Sequence, residues 1–195
     1  MNSKKLIDCI NQKCKKSINP AFNLSIHDNS YYFYHFTIDG TSYAVNRDKS
    51  VKVLNWFANF WIFLEIKFIK ISKKEEPQIN ISLSVFQGED FDNKKNQLFR
   101  AEWDDYNNPE EKHAQPHWHI MSNQISENSY KEYTSIFDES GFEKENLLDI
   151  KKIHFAMSGD WQNSKGYIHK MEDEQQIVKW LQGMLSYLRT ELENL

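Results

Sequence analysis

The run Ile79-Asn80-Ile81-Ser82-Leu83-Ser84-Val85 alternates apolar and polar residues without a break. Successive side chains of an extended chain point to opposite sides, so this run can bury its apolar residues together only as a β-strand. The same period of two precedes it. Ile62, Leu64, Ile66 and Phe68 share one face, and Phe63, Glu65 and Lys67 share the other. Gln97–Tyr106, Pro116–Asn123 and Lys151–Ser158 read as further strands. Tyr31–Ile38 and Thr41–Val45 flank Asp39-Gly40, a dipeptide suited to a tight turn, which predicts a hairpin there. Val51–Phe60 reads as one or two helical turns leading into the strand that follows.

Helical spacing occurs in three places. Residues 3–17 form a short basic candidate. Ser126–Phe137 has a Ser N-cap and Tyr130, Tyr133, Ile136 and Phe137 at helical intervals, with Gly141 to end it. Glu172–Leu195 is the clearest: Ile177, Leu181, Met184, Leu185 and Leu188 make one stripe, and Glu172, Asp173 and Glu174 suit the dipole of its first turn. Polar loops are expected at Lys73–Pro77, Gln87–Asn96 and Asn107–Gln115. Strands in runs, with helices between and after them, predict an α+β fold. This is a mostly antiparallel β-sheet with helices packed on one face and an amphipathic C-terminal helix. A chain of 195 residues suits one domain spanning 1–195, with 1–20 as a basic N-terminal segment and 172–195 as the C-terminal helix.

Composition narrows the function classes. Aromatic residues make up 14% of the chain, enough buried area to argue against disorder. There are six Gly and four Pro and neither GxGxxG nor GxxxxGK[ST], which excludes the Gly-rich phosphate loops. A net charge of −4 does not mark the whole chain as a polyanion binder. Locally, Lys4, Lys5, Lys13, Lys15 and Lys16 face a single Asp8, a basic patch that could meet nucleic acid or a protein partner, or simply be solvated. Cys9 and Cys14 form neither a CxxC pair nor a disulfide framework, which suits a reducing compartment. No secretory h-region is visible. The apolar stretch Trp56–Ile71 is interrupted by Asn59, Glu65, Lys67 and Lys70 and is shorter than the roughly 20 apolar residues a bilayer needs. The expectation is a cytoplasmic protein without a membrane partner. The richness in Lys, Asn and Ile fits an AT-rich bacterial genome. Nothing in the sequence sets the oligomeric state.

The sharpest chemical feature is His113-Ala114-Gln115-Pro116-His117-Trp118-His119. Pro116 holds Gln115 extended and can open a strand. On that strand His117 and His119 point one way and Trp118 the other. Two imidazoles so placed can chelate a divalent cation through neutral ring nitrogens, and His113 on the approach loop could add a third. On Gln97–Tyr106, Arg100, Glu102 and Asp104 lie opposite the apolar Phe99, Ala101 and Trp103. On Lys151–Ser158, His154 lies opposite Ile153, Phe155 and Met157. If the apolar faces of these strands cover one core, the polar residues converge on the other side. That inventory fits metal-dependent phosphoryl chemistry. His and carboxylate hold the ion, a spare carboxylate acts as base, and Arg100 pairs with phosphate. The same residues also fit cross-strand ion pairs and ordinary partly buried histidines. Neither Mn, Mg nor Zn is singled out.

The His117-Trp118-His119 triplet resembles the histidine–hydrophobic–histidine motif of the HUH nucleases. The resemblance covers these three residues and a loose topology. It implies that His117 and His119 bind a divalent metal, with Glu102 or His154 as third ligand. It also implies that a helical tyrosine, Tyr130 or Tyr133, attacks a DNA phosphodiester. The Tyr-x-x-Lys spacing of that family is absent here. Three expectations follow. The first is a metal-dependent phosphodiester hydrolase, a nuclease among them. The second is a non-catalytic interaction subunit of a bacterial accessory system. The third is a small-molecule binding module using the same sheet face.

Overall fold

The computed structural model describes residues 1–27, 30–33, 39–44, 48–69, 77–104, 115–120, 155–156, 171 and 173–194. Two helices and nine strands lie in this part: α1 (Ser3–Lys13), β1 (Leu24–His27), β2 (Ser30–Phe33), β3 (Asp39–Ala44), β4 (Lys49–Phe57), β5 (Phe60–Ile69), β6 (Gln78–Gln87), β7 (Asn96–Asp104), β8 (His117–Ile120), β9 (Phe155–Ala156) and α2 (Glu174–Glu193). The strands form one sheet in the order β1-β2-β5-β6-β7-β8-β9, and β3 joins it through β4, which pairs β5. Every pairing is antiparallel. β5 shares one edge between two partners: β4 takes its start at Phe60–Ile62 and β2 its far half at Glu65–Lys67. The α+β class and the helices on one face are as the sequence predicts.

Alternation along β5 and β6 sends Ile62, Leu64, Ile66, Ile79, Ile81, Leu83 and Val85 into the core with Ala101 and Trp103 of β7. Both helices cover that side. α1 starts on Asn2, whose side chain accepts from the Lys5 N–H, and it buries Leu6, Ile7 and Ile10. α2 starts on Asp173, whose side chain accepts from the Gln176 N–H, and it buries Ile177, Val178, Leu181, Leu185 and Leu188. Trp180 of α2 meets Trp103 edge-on, with ring centroids 5.3 Å apart. The helix pair is tied together by Lys5 Nζ on Glu174 Oε2 at 3.2 Å and by the Gln182 side-chain amide on the Lys13 carbonyl at 3.2 Å. One lysine of the basic N-terminal patch is therefore engaged within the fold. No helix among the described residues is long and apolar enough to cross a membrane.

Two sequence expectations are corrected. Asp39-Gly40 opens β3 rather than turning a hairpin, because Asp39 pairs Leu54 and Gly40 pairs Val53 of β4. The reason for glycine is contact, not conformation. A Cβ there would lie 2.7 Å from Cζ3 of Trp61 and 3.1 Å from Cγ2 of Val53. Val51–Phe60 is strand and hairpin, not helix. A bulge between Asn55 and Phe57, then the two-residue connection Ala58-Asn59, place Val53, Trp56, Phe57, Phe60 and Trp61 at intervals that imitate a helical stripe. Ala58 adopts the left-handed region at φ 45°, and the Asn55 side chain donates to its carbonyl at 3.1 Å.

The sheet curls toward its other face. Ser42 of β3 donates through Oγ to the Lys95 carbonyl at the start of β7, 3.0 Å away, although β4, β5 and β6 lie between those strands. Trp61, which Gly40 touches, lies on this concave side. Two polar residues of β6 are buried there: Ser82 and Ser84 are closed off from solvent.

Candidate metal centre

The concave face is a grid set by strand register. One row runs Glu65–Ser82–Glu102–His117 across β5, β6, β7 and β8. The next runs Phe63–Ser84–Arg100–His119. Directly opposed antiparallel residues have Cβ atoms about 4.5–5.5 Å apart, so Glu102 and Arg100 must meet the two histidines. β8 sends His117 and His119 to this face. Trp118 goes to the other, edge-on to Phe99 at 5.5 Å between centroids. Before β8, the Gln115 side chain accepts from the Asp104 N–H at 3.1 Å and so extends the ladder past its last paired residue.

Three ligand atoms converge. His117 Nε2 and His119 Nε2 are 2.9 Å apart, His119 Nε2 is 3.1 Å from Glu102 Oε2, and His117 Nε2 is 3.8 Å from the same oxygen. Nitrogen and oxygen ligands at about 2.0–2.1 Å from a tetrahedral ion stand about 3.3–3.4 Å from one another. The observed triangle brackets that separation. The group is enclosed, with His117 1% and His119 8% exposed. This buried Glu102, His117 and His119 group could hold a metal ion.

Protons alone serve the triangle poorly. If the His119 Nε2 carries hydrogen and donates to Glu102, it has no lone pair to accept from His117. If it accepts from His117, it has no hydrogen for Glu102. A neutral His119 can serve both short contacts only by sharing one N–H between Glu102 Oε2 and a lone pair on His117 Nε2, a three-centre bond weaker than two direct ones. A divalent cation accepts a lone pair from both rings and the carboxylate at once.

Glu102 is held from several directions. Arg100 Nη2 donates to Oε2 at 2.9 Å and the Asn80 amide to Oε1 at 3.1 Å. Burial pushes this carboxyl up, but the His119 contact, the Arg100 charge and the Asn80 bond outweigh it and hold the pKa at about 2. Glu102 is therefore an anion at neutral pH, as a ligand requires. Burial lowers the Arg100 pKa, and Glu102 pulls it back. A buried arginine remains charged. Its Nε has no hydrogen-bond partner among the described residues.

Of the residues singled out in the sequence, Arg100, Glu102, His117 and His119 come together. His113, Tyr130, Tyr133 and His154 lie outside the described residues, as does the expected helix Ser126–Phe137. β9 pairs Ala156 with His117. Two members of the surroundings escaped sequence reasoning. Asn80 supports Glu102, and Gln97 donates to Ser84 Oγ at 3.2 Å. Asn80 carried a signal, since it shares the period-two face of Ser82 and Ser84. Gln97 did not, because a bulge between Val85 and Phe86 changes its side. The chain matches no family model, no curated protein and no solved structure, so the functional reading rests on this geometry.

Proposed function

We propose that Glu102, His117 and His119 bind one divalent cation and that the protein is a metal-dependent hydrolase of a phosphodiester. The observation that carries the reading is the buried triangle of two imidazole nitrogens and one carboxylate oxygen, with Arg100 beside it. Two histidines and one carboxylate leave coordination positions open for water and substrate, the pattern of catalytic rather than structural sites. A divalent ion there makes water acidic and offsets charge growing on phosphate oxygens. Arg100 is a planar donor already anchored on Glu102, suited to a phosphate oxygen. In the reaction a water oxygen bonds to phosphorus and the ester P–O bond breaks. The alcohol departs with one proton of the water, leaving a phosphomonoester.

The test is hydrolysis of a chromogenic phosphodiester, and of single-stranded DNA, by protein reloaded with Mn²⁺, Mg²⁺ or Zn²⁺. Cleavage is expected with at least one of these ions and is expected to vanish in His117→Ala and His119→Ala that retain their melting temperature. A metal-loaded wild type that cleaves no phosphodiester contradicts the hydrolase reading. The burial of the group favours a second reading, a small-molecule binding module, which predicts saturable ligand binding without turnover.

A further inference from the structure

Arg100 and a bound metal share one oxygen. Arg100 Nη2 donates at 2.9 Å to Glu102 Oε2, the same oxygen that lies 3.1 Å from His119 Nε2 and 3.8 Å from His117 Nε2. The other oxygen, Oε1, takes the Asn80 amide at 3.1 Å. An ion on the three ligand atoms stands about 2.0–2.2 Å from Oε2, which puts it within about 5 Å of Arg100 Nη2. Charge does not balance there. The group contains one carboxylate, Glu102. Arg100 cancels it, and metal-bound imidazoles are neutral. The whole charge of a divalent ion is then left uncompensated in an enclosure. Glu65, in the same row but beyond Ser82, faces Lys67 at 3.4 Å.

Arg100 also has a donor to spare. Its Nε–H is buried without a hydrogen-bond partner among the described residues, in a residue 8% exposed. A buried donor left unmade is costly, most of all on a charged group. A guanidinium can take two oxygens of one oxyanion side by side. Exposure shows the side of approach. The side chains of Arg100 and Glu102 keep 10% and 17% of their exposure, whereas His117 keeps 1%. His117 is the deep end of the group, and Arg100 lies toward solvent.

We infer that the centre binds its divalent ion and a dianionic phosphate as a coupled pair, with Arg100 and the ion holding the phosphate together. The inference rests on the metal-centre reading above. The ion supplies the charge that draws the dianion. The dianion relieves the repulsion between the ion and Arg100. By linkage, each raises the affinity for the other by the same factor. A phosphodiester is a monoanion and leaves part of the ion's charge unbalanced. A phosphomonoester carries about −1.5 to −2 at neutral pH and comes close to balancing it. The product of the hydrolysis proposed above therefore binds more tightly than the substrate and holds back turnover until it leaves.

The experiment dialyses the metal-stripped full chain against graded Zn²⁺ or Mn²⁺ at neutral pH. Three buffers are compared: no ester, dimethyl phosphate, and methyl phosphate. Bound metal is read by elemental analysis at matched free-ion concentrations. Methyl phosphate should lower the metal Kd about tenfold, and dimethyl phosphate clearly less. Arg100→Gln removes the positive charge and keeps an amide donor for Glu102. It should bind metal at least as tightly as wild type without ester and should not respond to methyl phosphate. An arginine that merely braced Glu102 would weaken metal binding when replaced and leave the response in place, which overturns the inference. A wild-type affinity unchanged by methyl phosphate overturns it without any variant, as do equal responses to the two esters. A wild type that takes up neither metal, with or without ester, overturns the metal-centre reading instead.

Discussion

Glu102 is pulled in two directions by its surroundings. Its enclosure raises the cost of charge, while Arg100, Asn80 and His119 repay it through bonds of 2.9, 3.1 and 3.1 Å. The second effect prevails, taking the carboxyl from its ordinary 4.5 to about 2. A depressed carboxyl stabilises the fold fully above its unfolded value and loses that contribution as pH falls through the folded one. The window is therefore pH 4.5 down to 2, and the size is on the order of 3 kcal/mol. Metal-free protein followed by urea denaturation should lose stability steeply across the upper part of that window. Glu102→Gln, which has no charge to lose, should show a flatter acid limb. Parallel acid limbs for the two proteins would mean that Glu102 is not held as an anion by its neighbours.

At the scale of elements, Gly40 tests the curl of the sheet. Trp61 cannot retreat from a new methyl group: its indole donates to the Gly88 carbonyl at 2.9 Å and Lys95 Nζ lies 4.3 Å from its ring centre. Gly40→Ala should cost about 1–3 kcal/mol, as overpacking does. A variant as stable as wild type in chemical denaturation would place β3 elsewhere. The strands that alternate cleanly, β5 and β6, were legible in the sequence, as was α2 with its acidic start and leucine stripe. β4 was not. Its bulge shifts the alternation by one residue, and the tight Ala58-Asn59 connection brings the next aromatics into helical register. Asp39-Gly40 misled for a different reason, because glycine serves close packing as well as turns. β1 gave no signal, being four residues long.

For the whole molecule, the polar residues of the central strands mark an interior rather than a wet surface. Alternation told which residues share a face; it could not tell which face the sheet curls around, since that depends on β3 reaching the start of β7. The pairing of Arg100 with His119 and of Glu102 with His117 likewise needed the register, which no local pattern specifies. The histidine pair itself was readable from spacing alone. The central claim is that this interior face holds one divalent ion on Glu102, His117 and His119. Its most direct test is calorimetric titration of Zn²⁺ and Mn²⁺ into metal-stripped protein, with the same titration on His119→Ala. The account predicts one saturable site per chain in the wild type and its loss in a variant that remains folded by circular dichroism. Equal uptake by the two proteins, or none by either, would contradict it.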